Sequence, residues 1–83
     1  MSAQLDLFPT SLRLTRIDPE QNMRRFYQLA LQPDLFGGCT LIREWGRIGN
    51  GGRVLTETHA SEGQAVDALI TMQRQKTRRG YQV

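Results

Sequence analysis

The sequence predicts an α+β domain: an antiparallel β-sheet of about four strands with one C-terminal α-helix packed on one face. Apolar and polar residues alternate in short segments, which is the pattern of strands that bury one face. Turn residues lie between these segments. The C-terminal segment instead has apolar residues at helical spacing, and a helix of this kind can cover one face of a small sheet.

The first two strands are predicted at residues 11–17 and 25–32. Leu12 and Leu14 share one face of the first segment, and polar residues alternate with them. The second segment alternates in the same way. The turn between the two spans residues 18–22, where a proline follows an aspartate and favours a break in the chain.

The third and fourth strands are predicted at residues 39–48 and 53–58. A Gly-Gly pair at residues 37–38 marks the loop before the third strand. The sequence Asn50-Gly51-Gly52 predicts a tight hairpin turn between the two strands, because Asn-Gly accepts positive φ angles at low cost.

The helix is predicted to begin after Ser61, which is a suitable N-cap. Gln64 follows three residues later and completes a capping box. Gly80 is expected to end the helix. Basic residues crowd residues 74–79, where they match the helix dipole, and a second phosphate-binding patch is the alternative interpretation.

Composition limits the classes of function. A chain of 83 residues with a net charge of +3 forms one small, moderately basic domain. All of its 11 basic residues except Lys76 are arginines. Arginine makes bidentate contacts with phosphate, although a GC-rich genome produces the same bias. The single Cys39 excludes an intrachain disulfide and a multi-cysteine metal site.

Signals for membrane insertion or export are missing from the sequence. It contains no apolar run of about 18 residues. Residues 1–10 lack the cationic start and the long apolar region of a signal peptide. We therefore expect a cytoplasmic protein that uses no membrane, metal or cofactor.

The stretch Trp45-Gly46-Arg47-Ile48-Gly49 is the most informative part of the chain and holds its only tryptophan. Strand periodicity places Arg43, Trp45 and Arg47 on one face of the third strand. We expect this face to be the one that the helix leaves open, where arginines hold phosphates and the indole stacks on a base or sugar. Gly46 would let a ligand approach closely. The alternative is that Trp45 belongs to the core and the arginines are merely solvated.

The same five residues resemble the motif that names the WGR domain, a module of DNA-dependent poly(ADP-ribose) polymerases and of short bacterial proteins. The resemblance extends in the same order through the chain and includes these further positions: Asn22, Arg25-Phe26-Tyr27, Leu41, Arg43-Glu44, Lys76-Thr77 and Tyr81. On this basis residues 11–83 are identified as a WGR domain, and residues 1–10 form an N-terminal tail.

This resemblance implies binding to DNA ends, nicks or junctions. In the family, the motif Trp packs on the sugar of a terminal nucleotide, and the motif Arg helps to relay DNA binding to neighbouring domains. The corresponding residues here are Trp45 and Arg47. Asn22 and Arg25 lie where the family places contacts with the DNA backbone. The 83 residues include no polymerase, helical or zinc-finger domain, so a relay through Arg47 is expected to need a separately encoded enzyme.

The tail segment Gln4-Leu5-Asp6-Leu7-Phe8 is similar to the peptide by which many bacterial proteins dock on the replicative sliding clamp. In such peptides a polar anchor, here Gln4, precedes apolar side chains that enter a pocket, here Leu5, Leu7 and Phe8. The alternatives are that these side chains pack on the domain itself or that the tail adds a strand to the sheet.

No pattern of catalytic residues is apparent. His59, the only histidine, has no serine or cysteine partner at a spacing typical of nucleophilic catalysis. The glycines of residues 49–52 do not lead from a strand into a helix, so they are not a phosphate-binding loop. The sequence therefore predicts a non-enzymatic DNA-binding module. The alternatives are a protein-interaction adaptor, recruited to a sliding clamp or a repair complex, and a general nucleic-acid binder that also accepts RNA.

Overall fold

The computed structural model describes residues 11–83, and the tail segment that resembles a clamp-binding peptide lies outside the described residues. The elements are β1 (Ser11–Asp18), a 3-10 turn (Pro19–Gln21), β2 (Met23–Pro33), β3 (Cys39–Arg47), β4 (Arg53–His59) and α1 (Glu62–Arg78). They confirm the predicted fold class, a four-stranded antiparallel sheet with one C-terminal helix.

The sheet is a simple meander in which each strand pairs with the next in the chain, in the order β1-β2-β3-β4. One row of directly opposed residues runs across all four strands: Leu14, Tyr27, Trp45 and Arg53. Because side chains in register share a face, this row places Trp45 on the same face as the core residue Leu14.

The hairpin between β3 and β4 differs from the prediction in its backbone. The positive φ angle falls on Gly49, at 91°, and neither Asn50 nor Gly51 has one. The N–H of Asn50 donates to the carbonyl of Arg47 at 3.1 Å. The prediction that Asn50-Gly51 supplies the positive φ angles is therefore wrong, because the preceding glycine takes that conformation.

Both ends of the helix are capped by the expected residues. Ser61 Oγ accepts a hydrogen bond from the N–H of Gln64, whose side chain accepts from the N–H of Ala60 rather than of Ser61. At the other end Gly80 has φ 97°, and Tyr81 N–H donates to the carbonyl of Lys76. This Schellman arrangement turns the chain back, so that Tyr81 is buried against the sheet.

The core lies between α1 and one face of the sheet. Leu14, Leu29 and Leu41 are almost completely buried there, together with Ala65 and Leu69 of the helix. Apolar residues at alternate strand positions thus meet one apolar face of the helix, as the sequence predicts.

Candidate nucleic-acid interface

Trp45 lies on the face of the sheet that carries the helix. It is directly opposite Tyr27 and belongs to the same face as Leu41, which is buried in the core. The expectation that this face is the one left open is therefore wrong, because strand alternation gives Trp45 and the core leucines the same side. Trp45 packs against the edge of the core but stays partly exposed. The indole is therefore at the edge of the core, as the alternative interpretation expected in part, and it keeps a surface that solvent can reach.

The indole of Trp45 is held by neighbouring aromatic rings. The Tyr27 ring stacks on it, with centroids 5.6 Å apart and planes inclined by 11°. Tyr81 meets Tyr27 edge to face, with centroids 6.4 Å apart. Lys76 Nζ lies 4.4 Å from the centroid of the Tyr27 ring. Such contacts fix the orientation of the indole before any ligand arrives.

These residues line a cleft of about 380 Å³ at the end of the sheet beyond the core. Among residues 11–83 its lining combines aromatic rings with cationic side chains and includes no acidic residue: Arg25, Tyr27, Trp45, Gly46, Arg47, Lys76 and Tyr81. A cleft with this composition suits a ligand that carries both a flat or apolar surface and a negative charge.

Three arginines form a row across the sheet beside this cleft. Arg16 is directly opposite Arg25, which in turn is directly opposite Arg47. Arg16 also lies against Gly80, where an added Cβ would come within 3.2 Å of its Nε. Within residues 11–83, none of the three arginines forms a salt bridge. Like charges in directly opposed positions destabilise a sheet, so this row gains stability when an anion binds to it.

Arg47 and Asn22, two residues that the sequence predicts as DNA contacts, are in contact with each other. The Arg47 guanidinium donates to the Asn22 carbonyl at 3.1 Å and to its Oδ1 at 3.3 Å. Asn22 ends the 3-10 turn in the left-handed conformation, with φ 52°. Both side chains are exposed, so the contact positions Arg47 without removing it from solvent.

Arg43 is placed differently from the other predicted DNA contacts. Its side chain is 16% exposed and forms a salt bridge with Glu57 at 2.9 Å. It also donates to the Tyr27 hydroxyl at 3.4 Å and approaches the Met72 sulfur of the helix. The guanidinium thus lies between the sheet and the helix, in contact with Glu57, Tyr27 and Met72. Arg43 therefore holds Tyr27 in place, and its guanidinium is less available to a phosphate than that of Arg47.

Gly46 is explained by packing on the opposite face of the sheet. It is directly opposite Phe26, and an added Cβ would lie 3.0 Å from Gly52 Cα and 3.6 Å from the Phe26 ring. The guanidinium of Arg13 lies over that ring, 4.6 Å from its centroid. Gly46 therefore makes room for Phe26, while its backbone lines the cleft.

The cleft is electrostatically adapted to anions. Burial lowers the pKa of Lys76 from its ordinary value of 10.5, and the nearby cations Arg79 and Arg43 lower it further. An ammonium group whose neighbours disfavour its charge gains from an incoming negative group.

Sequence reasoning missed part of this site. Arg16 gave no signal of its own, since its importance follows from the register that aligns it with Arg25. Tyr27 and Lys76 had been noted only as points of family resemblance. An aromatic residue directly across from the motif Trp in the predicted hairpin was a signal that could have identified Tyr27.

The remaining candidates for chemistry lie apart from the cleft. His59 is the last residue of β4, with Nε2 3.6 Å from Glu57. Cys39 is buried in the core, where burial, and then the nearby Glu62, raise the pKa of its thiol. Residues 11–83 bring together no group of three or more His, Cys, Asp or Glu side chains suited to a metal ion. In the same part of the chain, no helix has the length and apolarity needed to cross a membrane.

Comparisons with known proteins identify the family of this chain. The family model of the WGR domain matches residues 10–83. An uncharacterized protein of Sinorhizobium fredii, y4dW, is 41% identical over 73 residues, which cover 88% of this chain and 36% of that protein. The chain therefore spans little more than a third of the length of the curated relative that it matches. No solved structure matches the chain at a significant level.

Proposed function

Because this chain belongs to the WGR domain family, a family of non-catalytic modules consistent with nucleic-acid binding, we propose that it recognises ends, nicks or junctions of duplex DNA. The observation that carries the proposal is the cleft, where a stacked Trp45–Tyr27 pair lies among cationic side chains. Cations attract the phosphates of any nucleic acid, whereas an aromatic platform needs a base or sugar that is free to contact it.

The position of Trp45 favours an interrupted duplex over a continuous one. The indole is partly buried, stacks on the Tyr27 ring and lines the cleft, so it is reached by groups that enter the cleft. In an intact duplex the base faces are covered by their neighbours. At an end or a nick, the terminal nucleotide offers an uncovered face and a free sugar edge. A stacked nucleotide contributes about 1–3 kcal/mol, which would be gained only on the interrupted substrate.

The arginine row and Lys76 supply the part of the affinity that does not depend on DNA structure. Arg16, Arg25 and Arg47 lie side by side across three strands. Each phosphate that such a cation neutralises adds about 0.9 to the slope of log affinity against log salt. We infer that these cations bind the DNA phosphates, while Trp45 stacks on the nucleotide at the end or nick.

The experiment is a titration of the intrinsic fluorescence of Trp45, the only tryptophan, with matched DNA substrates. Nicked, blunt-ended and circular intact duplexes of one sequence, together with the corresponding RNA duplex, are compared at two salt concentrations. Tight binding with a spectral change on nicked or blunt DNA, retained at higher salt, supports the proposal. Equal affinities that fall together with salt would show simple attraction between opposite charges, and preference for the RNA duplex would favour the broader nucleic-acid binder.

A second candidate function is that of an adaptor, and the observation that favours it is the tail pattern Gln4-Leu5-Asp6-Leu7-Phe8. A clamp-bound tail would raise the local concentration of the domain at sites of replication or repair. A purified sliding clamp is incubated with the chain with and without residues 1–9. Clamp binding that survives the deletion unchanged would exclude the tail as the docking segment.

An enzyme encoded separately is a further proposed partner, reached through Arg47 at the exposed edge of the cleft.

A further inference from the structure

The loop between β2 and β3 presents two adjacent large apolar side chains to solvent. Leu35 is 95% exposed and Phe36 is 94% exposed. Apart from the terminal Val83, the other exposed large apolar side chains of residues 11–83 are at most 60% exposed. Single exposed apolar residues are common, but a fully exposed Leu-Phe pair at the tip of a hairpin has no role in the packing of residues 11–83.

The loop is ordered by its own hydrogen bonds. Asp34 Oδ1 accepts from the N–H groups of Phe36, at 2.7 Å, and Gly38, at 2.9 Å. The Asp34 N–H donates to the Gly38 carbonyl at 3.0 Å, and Gly37 takes a φ of 86°. The apolar pair is thus displayed by a preformed turn, so that a partner would not need to order the backbone on binding.

The loop repeats the residue pattern of the tail. Gln32-Pro33-Asp34-Leu35-Phe36 and Gln4-Leu5-Asp6-Leu7-Phe8 both have the order Gln, one variable residue, Asp, Leu and Phe. Leu35 and Phe36 contribute nothing to the core formed by residues 11–83, so packing within that part of the chain does not explain the recurrence in the loop. A binding partner that accepts this pattern explains both copies.

The charged residues around the loop indicate which class of partner it binds. Residues 31–41 and 55–64, which form this end of the sheet, include Asp34, Glu57 and Glu62 but no lysine or arginine. The arginine row lies at the other end of β2, roughly 27 Å away at about 3.4 Å per strand residue. Glu57 is paired with Arg43, whereas Asp34 and Glu62 form no salt bridge within residues 11–83. These two carboxylates disfavour a phosphate ligand and favour an apolar pocket with a basic rim on a protein.

We propose that Leu35 and Phe36 dock into an apolar, basic-rimmed pocket of a protein, and that this is the sliding-clamp pocket proposed above for residues 4–8. The loop is a second, preformed copy of the docking pattern. It lies at the end of the domain opposite the DNA cleft, so one molecule can hold DNA and the partner together. The proposal does not depend on DNA binding, because the two surfaces share no residue.

The test uses the full chain with the tail pattern removed by Leu7→Ala and Phe8→Ala, so that any remaining affinity comes from the loop. Binding to the purified replicative sliding clamp is measured by biolayer interferometry, with and without the additional changes Leu35→Ala and Phe36→Ala. We expect measurable binding that the loop changes weaken by at least about tenfold. A synthetic peptide of residues 1–10 should displace the tail-deficient chain, because both copies enter the same pocket.

The control is Ile17→Ala with Val54→Ala, which removes two other exposed apolar side chains and should leave clamp binding unchanged. The loop changes should also leave DNA affinity unchanged, which separates this proposal from the one about the cleft. Equal clamp binding with and without Leu35 and Phe36, or no binding by the tail-deficient chain, would overturn the proposal. So would a result in which the loop changes abolish only self-association of the chain.

Discussion

Arg47 donates hydrogen bonds to both oxygens of Asn22, the main-chain carbonyl at 3.1 Å and the side-chain Oδ1 at 3.3 Å. The contact joins the end of β3 to the turn before β2, and Asn22 makes it from a left-handed conformation that few residue types accept. An exposed cationic group of the cleft is thus oriented by a residue 25 positions earlier in the chain.

This relationship predicts that Asn22→Asp weakens DNA binding while stabilising the fold. A carboxylate at this position would pair with Arg47, compete with phosphate and repel it. We expect DNA affinity to fall at least about tenfold and the melting temperature to stay equal or rise, as measured by fluorescence anisotropy and thermal denaturation. Asn22→Gly is the control, since glycine keeps the backbone conformation without adding charge. Equal losses of affinity for the two variants would contradict a role for the added carboxylate.

The arginine row predicts opposite effects on stability and binding. Arg25→Gln relieves repulsion from Arg16 and Arg47, so the free energy of unfolding should rise by about 0.5 kcal/mol or less. DNA affinity should fall, and the salt slope should decrease by about 0.9. Arg24→Gln is a matched control, because this neighbour on the same strand points to the opposite face. If both variants lower the salt slope equally, the row has no special part in binding.

The lowered pKa of Lys76 makes the stability of the fold depend on pH, and we expect bound DNA to raise this pKa again. Its pKa is lowered in the folded chain, so its charge costs stability at neutral pH, and that cost disappears as pH rises from the lowered pKa towards 10.5. Because it is the only lysine, its titration can be followed by NMR at a single Cε signal. We expect a pKa below 10.5 in the free protein and a higher one with nicked DNA. An unchanged pKa in the complex would place the DNA away from Lys76.

We predict a contrast in stability between substitutions at two of the three hairpin glycines, Gly51 and Gly52. A Cβ at Gly52 would lie 2.6 Å from the Trp45 carbonyl and 2.9 Å from the Phe26 ring, whereas at Gly51 it would meet nothing within 4 Å. Gly52→Ala should therefore lower the free energy of unfolding by about 1–3 kcal/mol, and Gly51→Ala should leave it unchanged or raise it by up to about 1 kcal/mol. Urea denaturation of both variants measures the difference. Equal stabilities would show that the hairpin adjusts without strain.

The strands and the helix could be predicted because their signals are local. Alternation marks each strand, and Ser61, Gln64 and Gly80 mark the ends of the helix, where the structure has them. The side of the sheet that the helix covers was predicted incorrectly. Arg43, Trp45 and Arg47 were predicted on the open face. Alternate residues of a strand share a face, however, and residue 41 of the same series is the buried Leu41.

The members of the site could be predicted only in part. The motif itself indicated Trp45 and Arg47, but the role of Arg43 depends on Glu57, which only the register of β4 brings beside it. The arginine row likewise exists only once three strands are aligned. The exposure of Leu35 and Phe36 depends on the hydrogen bonds that shape their loop, and alternation between two predicted strands carries no signal for it.

The central claim is that Trp45 recognises an interruption in the duplex, and the affinity ratio between nicked and intact DNA tests it most directly. Labelled substrates are titrated by anisotropy with the unmodified chain, with Trp45→Ala and with the control Trp45→Phe, which keeps an aromatic ring. The account predicts that Trp45→Ala weakens binding to nicked DNA by about 5- to 100-fold and to intact DNA by less than about twofold, while Trp45→Phe retains most of the preference. An equal loss on both substrates, or no loss on either, would contradict it.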